Sequence, residues 1–151
     1  MSEITEVSGF GVALDRAYDP GGHFWISSLS DDRVRIGMDS LGVETSGTLA
    51  QLAFLPVGEN LKRGEAFGSL EAAKFVGPLT SPLSGTVAAT NDAVVADPSL
   101  VERDPYGEGW LIELALTEPG ELGEMISGAD AIPAWFGAEV ADYRLKGVLA
   151  E

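Results

Sequence analysis

Near its middle the chain reads Phe67-Gly68-Ser69-Leu70-Glu71-Ala72-Ala73-Lys74 and then Phe75-Val76-Gly77-Pro78-Leu79-Thr80-Ser81-Pro82. The first eight residues have the composition of a strand, whereas a glycine and two prolines interrupt regular pairing in the second eight. The pattern predicts that the chain reverses at Lys74. Because two alanines precede this lysine, we expect its side chain to be unobstructed at the tip of a hairpin.

A lysine at a tight hairpin tip has a specific chemical use. Its primary amine is a nucleophile once deprotonated, and it forms a stable amide with an activated acid. At a rigid tip the lengthened arm can reach a partner's active site while the domain stays folded. Most exposed lysines are only solvated, so position alone does not single out Lys74. The other lysines, Lys62 and Lys146, lie in ordinary charged settings.

Short apolar segments recur on either side of this hairpin at intervals of roughly ten residues with turns between them, which is typical of a β-sandwich or barrel. The predicted strands are 23–26, 34–37, 48–55, 64–73, 85–89 and 110–116. A helical start is predicted at 118–126. Apolar residues at near-helical spacing predict a helix over 133–149. We expect that helix to lay Trp135, Phe136 and Val140 on the sandwich.

The chain divides into three parts in this interpretation. Residues 1–22 are polar and Gly-rich, and we expect a loosely held N-terminal arm with one strand around residues 11–15. Residues 23–128 form the β domain, and residues 129–151 form a C-terminal helical segment packed on it. At 151 residues the chain is long enough for a single hydrophobic core.

Composition argues against several classes of function. Nine basic residues against 24 acidic ones give a formal net charge of −15, which disfavours binding to nucleic acid or anionic lipid. The chain has no cysteine and one histidine, His23, so thiolate and multi-histidine metal sites are excluded. No nucleophile elbow, P-loop or dinucleotide-binding glycine motif indicates an independent enzyme. The sequence shows neither a signal peptide nor an apolar run of the ~20 residues that cross a bilayer.

The residues around Lys74 resemble the lipoylation motif of the glycine cleavage H protein family. Glu71-Ala72-Ala73-Lys74 is similar to that family's Glu-Ser-Val-Lys. Further on, Ser81-Pro82-Leu83-Ser84-Gly85-Thr86-Val87 is similar to its Ser-Pro-Val-Ser-Gly-x-Val.

The likeness extends on both sides of this motif. Asn91, Pro98 and Asp104-Pro105-Tyr106-Gly107-Glu108-Gly109-Trp110 follow at the family's spacing, and the last of these is highly specific. His23-Phe24-Trp25 resembles the family's His-Glu-Trp near the first strand. The resemblance therefore covers about residues 23–126.

The resemblance implies a mainly β, lipoyl-domain-like flattened barrel or sandwich with short C-terminal helices. It implies that lipoate is attached covalently to Lys74, with Glu71 as its neighbour in the motif. It also implies a non-catalytic carrier, which shuttles an aminomethyl group between glycine decarboxylase, aminomethyltransferase and dihydrolipoyl dehydrogenase after a lipoate-attaching enzyme has modified it. We expect this carrier to be a cytoplasmic monomer that binds neither nucleic acid nor membrane.

Two of the matched segments are expected to be structural. Pro105 and Gly107 suit a turn, and Trp110 can fill one end of the core. We expect His23 to be a hydrogen-bonded structural residue rather than a catalyst.

Departures from the family's pattern leave the partners open. The run 37–47 replaces Thr-Asp-Tyr-Ala-Gln and Leu-Gly-Asp, Phe24 stands where glutamate is usual, and 75–78 lacks the usual polar residues. An H-like lipoyl carrier of sulfur oxidation or lipoate relay fits these positions equally well. A third hypothesis is an unmodified binding module of the same fold. A biotin carrier is disfavoured because no Met-Lys-Met surrounds Lys74.

Overall fold

The computed structural model describes residues 4–149. Its strands are β1 (Ile4–Val7), β2 (Phe10–Ala13), β3 (Ala17–Tyr18), β4 (Phe24–Ser30), β5 (Arg33–Met38), β6 (Leu49–Phe54), β7 (Asn60–Leu61), β8 (Ala66–Ala72), β9 (Val76–Thr80), β10 (Gly85–Thr90) and β11 (Ile112–Leu116). Its helices are α1 (Ser40–Ser46), α2 (Asp92–Ala96), α3 (Ser99–Arg103), a 3-10 helix (Pro119–Glu124) and α4 (Ala131–Leu145).

Two antiparallel sheets face each other across the main core. The larger sheet has the strand order β3-β4-β5-β11-β10-β7, and the smaller one has the order β6-β8-β9. Apolar side chains from both sheets meet between them; Phe24 packs edge-on against Phe67 with 5.5 Å between ring centroids. The predicted mainly β, sandwich-like fold is confirmed, and within residues 4–149 the two sheets do not close into a barrel.

The N-terminal segment is more ordered than the sequence suggested. Strands β1 and β2 form a separate hairpin, and β3 adds to the edge of the larger sheet. Val12 and Tyr18 are fully buried in a second apolar cluster. Strand β2 matches the one strand expected around residues 11–15, whereas β1, β3 and the packing of these side chains on distant elements were not predicted. Residues 1–3 of the expected arm lie outside the described residues.

The predicted C-terminal helix is confirmed as α4. Its residues Ile132, Phe136 and Val140 are fully buried in the second cluster, and Trp135 is half-buried against it. Leu145 ends the helix and is 88% exposed, outside the buried face. Residues 150–151 of the expected segment lie outside the described residues.

Helices α1 to α3 were not predicted from the sequence. They are five to seven residues long, which is too short to show a hydrophobic period. Capping side chains begin two of them: Asp39 accepts the N–H of Gly42 at the start of α1, and Asn91 accepts that of Ala93 at the start of α2. None of the helices within residues 4–149 is long and apolar enough to span a membrane.

Candidate functional site

The hairpin between β8 and β9 presents Lys74 at its tip, as the sequence predicted. Glu71 pairs with Val76 at the end of the ladder, and the intervening residues make the reversal. The backbone N–H of Ala72 donates to the carbonyl of Phe75 at 2.8 Å and closes the turn. Lys74 and Glu71 are both exposed on this hairpin.

The loop between α1 and β6 braces this tip. The backbone N–H of Lys74 donates to the carbonyl of Ser46 at 2.8 Å, and that of Ala73 donates to the carbonyl of Thr48 at 2.9 Å. Gly47 lies between these two acceptors with a φ of +77°. The reversal is therefore held by a neighbouring loop in addition to its own hairpin bonds.

The side chain of Lys74 is open to solvent. None of the ion pairs formed within residues 4–149 includes its ammonium. A shallow depression of about 370 Å³ lies beside it, with Glu44, Thr48 and Glu102 in its lining. An exposed primary amine on a flexible stem fits the covalent attachment of an acyl group.

The other lysines differ from Lys74 in their surroundings. Lys146 forms an ion pair with Asp142 at 2.8 Å on α4. Lys62 is exposed in the turn that follows β7, and its backbone N–H is bound by the carboxylate of Glu65 at 2.7 Å. Lys62 is thus a second turn lysine, and it lacks the sequence motif that surrounds Lys74.

A groove of about 270 Å³ lies next to the tip. Its lining is largely apolar and includes the rings of Phe24 and Phe75. His23 and Tyr143, whose rings carry polar atoms, also line it. Phe24 is 5% exposed and belongs to the main core, so the residue at the family's glutamate position is a packing residue here. Val76, immediately beyond the tip, is 76% exposed.

His23 is buried between two carboxylates. Its Nδ1 lies 2.8 Å from Oδ2 of Asp39, and its Nε2 lies 2.9 Å from Oε1 of Glu139. The ring stacks on Trp135 with 5.2 Å between centroids. Burial by itself lowers the pKa of His23, but the hydrogen bonds and charges of Asp39 and Glu139 outweigh it and raise the pKa above 6.5. His23 is thus buried and hydrogen-bonded through both ring nitrogens, as the sequence led us to expect.

Asp39 connects this histidine to helix α1. It is completely buried, and its other carboxylate oxygen accepts the N–H of Gly42 at 2.8 Å. Burial raises the pKa of the Asp39 carboxyl, while His23 and the N–H of Gly42 oppose that rise. Sequence reasoning missed Asp39 and Glu139. Aspartate is a favoured N-cap residue, which is a local signal for Asp39, but no local signal marks Glu139.

The segment 104–110 is structural, as expected. The indole N–H of Trp25 donates to the carbonyl of Pro105 at 2.9 Å, and the hydroxyl of Tyr106 donates to the carbonyl of Gly11 at 2.9 Å. Both bonds join this turn to distant strands. The segment therefore fastens the N-terminal part of the chain to the larger sheet.

Comparison with known proteins identifies the family. The model of the family described as "Glycine cleavage H-protein" matches residues 16–134. The chain is 41% identical to the glycine cleavage system H protein of Gloeobacter violaceus over 103 residues, which covers 68% of this chain and 80% of that protein. It is 38% identical to the glycine cleavage system H protein of Corynebacterium jeikeium over 105 residues, which covers 68% of this chain and 83% of that protein.

The likeness also holds in three dimensions. The crystal structure of a glycine cleavage system H protein from Mycobacterium marinum superposes with a TM-score of 0.72 at 33% identity, and covers 85% of this chain and 98% of that one. The family match spans Lys74 at the hairpin tip, the loop 46–48 that bonds to the tip, and the two facing sheets. On these grounds the chain belongs to the glycine cleavage H-protein family.

Proposed function

We propose that this protein is a lipoylated carrier of glycine cleavage and that Lys74 bears the lipoyl group. The observation that supports it best is the exposed side chain of Lys74 at a hairpin tip that the loop 46–48 holds, where its ammonium forms no ion pair with any residue of 4–149. Membership of the H-protein family and the Glu71-to-Lys74 motif agree with this assignment.

The attachment is an acyl transfer to the lysine amine. The deprotonated Nζ of Lys74 attacks the carbonyl carbon of lipoate activated as a mixed anhydride with a nucleotide phosphate. The amine's electron pair forms the new C–N bond while the C–O bond to phosphate breaks. The nucleotide leaves with that electron pair, and an amine proton passes to water. The ammonium charge is lost, and the four-carbon stem is lengthened.

The chain then serves as a substrate of its partner enzymes rather than as a catalyst. The rigid hairpin holds the modified Lys74 away from the sheets, so that a partner's active site can receive the arm while the domain stays folded. The partners in this proposal are glycine decarboxylase, aminomethyltransferase and dihydrolipoyl dehydrogenase, between which an aminomethyl group is carried. A monomeric carrier in the cytoplasm is part of the same proposal.

Glu71 is proposed as a recognition residue for the lipoate-attaching enzyme. It is exposed at the end of β8, three residues before the lysine on the same hairpin. Glu71→Gln removes its charge and leaves the strand intact, so we expect a slower attachment with an unchanged fold. A rate equal to that of the wild type contradicts this role.

Intact-mass measurement after co-expression with a lipoylation system tests the attachment site. The wild type and Lys62→Arg are expected to gain one lipoyl group each, and Lys74→Arg none. Lys62→Arg is the matched control because it also changes an exposed turn lysine. An adduct that persists in Lys74→Arg defeats the assignment. An unmodified wild type favours the binding-module alternative.

A second candidate keeps the lipoyl arm but changes the pathway to sulfur oxidation or lipoate relay. The observation that favours it is the exposed apolar pair Phe75 and Val76, 40% and 76% exposed, where the family has polar residues beside the lysine. Incubation of the lipoylated protein with glycine decarboxylase and glycine separates the two pathways. Aminomethyl mass on the protein supports glycine cleavage, and its absence with an active decarboxylase supports the second candidate.

A further inference from the structure

We propose that Gly47 is a positioning residue for the acylation of Lys74: the glycine loop 46–48 holds the lysine stem in the orientation that the attaching enzyme uses. This inference rests on the proposed function, since it concerns the same amine. Gly47 does not touch the reacting atoms, so its effect is transmitted through the backbone and the stem of Lys74.

The loop and the tip are joined at two points that flank the glycine. The carbonyl of Ser46 accepts the N–H of Lys74 at 2.8 Å, and the carbonyl of Thr48 accepts the N–H of Ala73 at 2.9 Å. These bonds fix the backbone of both tip residues from the side opposite the hairpin ladder. The stem of Lys74 therefore starts from a backbone held on two sides.

The position between these bonds admits only a residue without a side chain. Gly47 has φ +77° and ψ −163°, a conformation that is essentially restricted to glycine. A Cβ placed on it lies 3.1 Å from Cβ of Ala73, 3.2 Å from Cγ of Lys74 and 3.4 Å from the backbone N of Lys74. Two of these atoms are fixed by the backbone, so relief requires the loop to move away from the tip.

The same distances show how the lysine is oriented. Cγ of Lys74 passes directly over Gly47, so the first part of the stem packs on the loop and only the part beyond it is free. A stem that starts in one direction needs less ordering when an enzyme binds it. A methyl group at position 47 displaces that stem and weakens the two backbone bonds.

Steady-state kinetics of attachment, with a purified lipoate-attaching enzyme, lipoate and ATP, test this role in Gly47→Ala. We expect kcat to fall about tenfold, because small misplacements of a reacting group cost one to two orders of magnitude. KM is expected to stay within about twofold, since Glu71 and the outer surface of the hairpin are unchanged. Acetylation of Lys74 by a small reagent, which requires no orientation, is expected to proceed at the wild-type rate.

Gly58→Ala is the matched control. Gly58 also has a positive φ of +100°, but a Cβ placed on it meets no atom of residues 4–149 within 4 Å. It reports the cost of an alanine at positive φ without contact with the tip, and we expect its attachment kinetics to equal those of the wild type. An equal fall of kcat in both variants overturns the inference, because general destabilisation then accounts for the effect.

Hydrogen exchange of the wild-type protein tests the same contact without a substitution. The amides of Ala73 and Lys74 are expected to be protected, and exchange at the rate of a free peptide overturns the inference. A wild type that takes no lipoyl group at Lys74 defeats the proposed function and this inference together. A lipoylated wild type with the same kcat as Gly47→Ala defeats this inference alone.

Discussion

His23 and Asp39 form a buried pair in which Nδ1 of the imidazole lies 2.8 Å from Oδ2 of the carboxylate. The histidine precedes β4 and the aspartate caps α1, so the pair joins the larger sheet to α1. That helix leads into the loop 46–48, which bonds to the tip at Lys74. Glu139 extends this link to α4 through the other ring nitrogen. One histidine thus joins three elements on the side of the groove.

This arrangement predicts that stability falls as the pH rises above neutrality. Asp39, Glu139 and the ring of Tyr143 lie against His23, and its folded pKa is raised above the ordinary value of 6.5. A raised folded pKa means that the folded state binds the proton more tightly than the unfolded chain does. The stabilisation is therefore fully present below pH 6.5 and is lost as the pH rises through the folded pKa. Urea denaturation between pH 6 and 9 measures this decline.

Glu139→Gln provides the control for this pH dependence. The amide retains a hydrogen-bonding oxygen but removes one of the two charges that raise the pKa of His23. We expect a loss of about 1–2 kcal/mol in the free energy of unfolding near pH 6. The decline with pH is expected to begin at a lower pH than in the wild type. Superimposable pH profiles for the two proteins contradict the assignment of this dependence to His23.

Asn91 is predicted to be needed as a hydrogen-bond donor as well as a cap. It is 7% exposed, and its side-chain amide donates to the carbonyls of Glu108 at 2.8 Å and Trp110 at 2.7 Å. Asn91→Asp keeps the oxygen that caps α2 but places a carboxylate against both carbonyls. We expect the free energy of unfolding to fall by roughly 2–3 kcal/mol. Chemical denaturation at pH 7 measures the loss. A greater stability of Asn91→Asp than of Asn91→Ala contradicts the prediction.

Helix α4 is predicted to be held mainly by its buried apolar face. Phe136 is fully buried and lies edge-on to Phe10, with ring centroids 6.1 Å apart. Phe136→Ala is expected to lower the free energy of unfolding by about 3–5 kcal/mol, because it removes a large buried ring and leaves a cavity. Leu145→Ala on the same helix is the control; its side chain is 88% exposed, and we expect a change within about ±0.5 kcal/mol. Equal losses in the two variants argue against this packing.

Lys74→Arg is predicted to leave the fold unchanged. The side chain is exposed, and its backbone N–H bond to Ser46 does not depend on the residue type. We expect the free energy of unfolding to change by no more than about 0.5 kcal/mol. The thermal midpoint, measured on the unmodified proteins, checks this expectation. A large fall in the midpoint identifies Lys74 as a structural residue instead.

The hairpin and its lysine were predictable from the sequence because turn chemistry is local. The glycine and prolines after Lys74 act within a few residues of where they stand, and the strands at 34–37 and 85–89 are set by short apolar runs. The N-terminal hairpin was missed for the opposite reason. Its polar, Gly-rich composition hides Val12 and Tyr18, whose burial depends on residues far along the chain.

By itself the sequence determined the sandwich, the C-terminal helix and an amine at an exposed reversal. Only the tertiary structure decided what surrounds that amine. Gly47 reaches Lys74 because two separate segments meet at the tip, and His23 meets Glu139 although 116 residues separate them. The physical reason is the separation along the chain over which each interaction acts. Backbone conformation responds to the nearest few residues. Hydrogen bonds between distant elements form only once the core has brought those elements together.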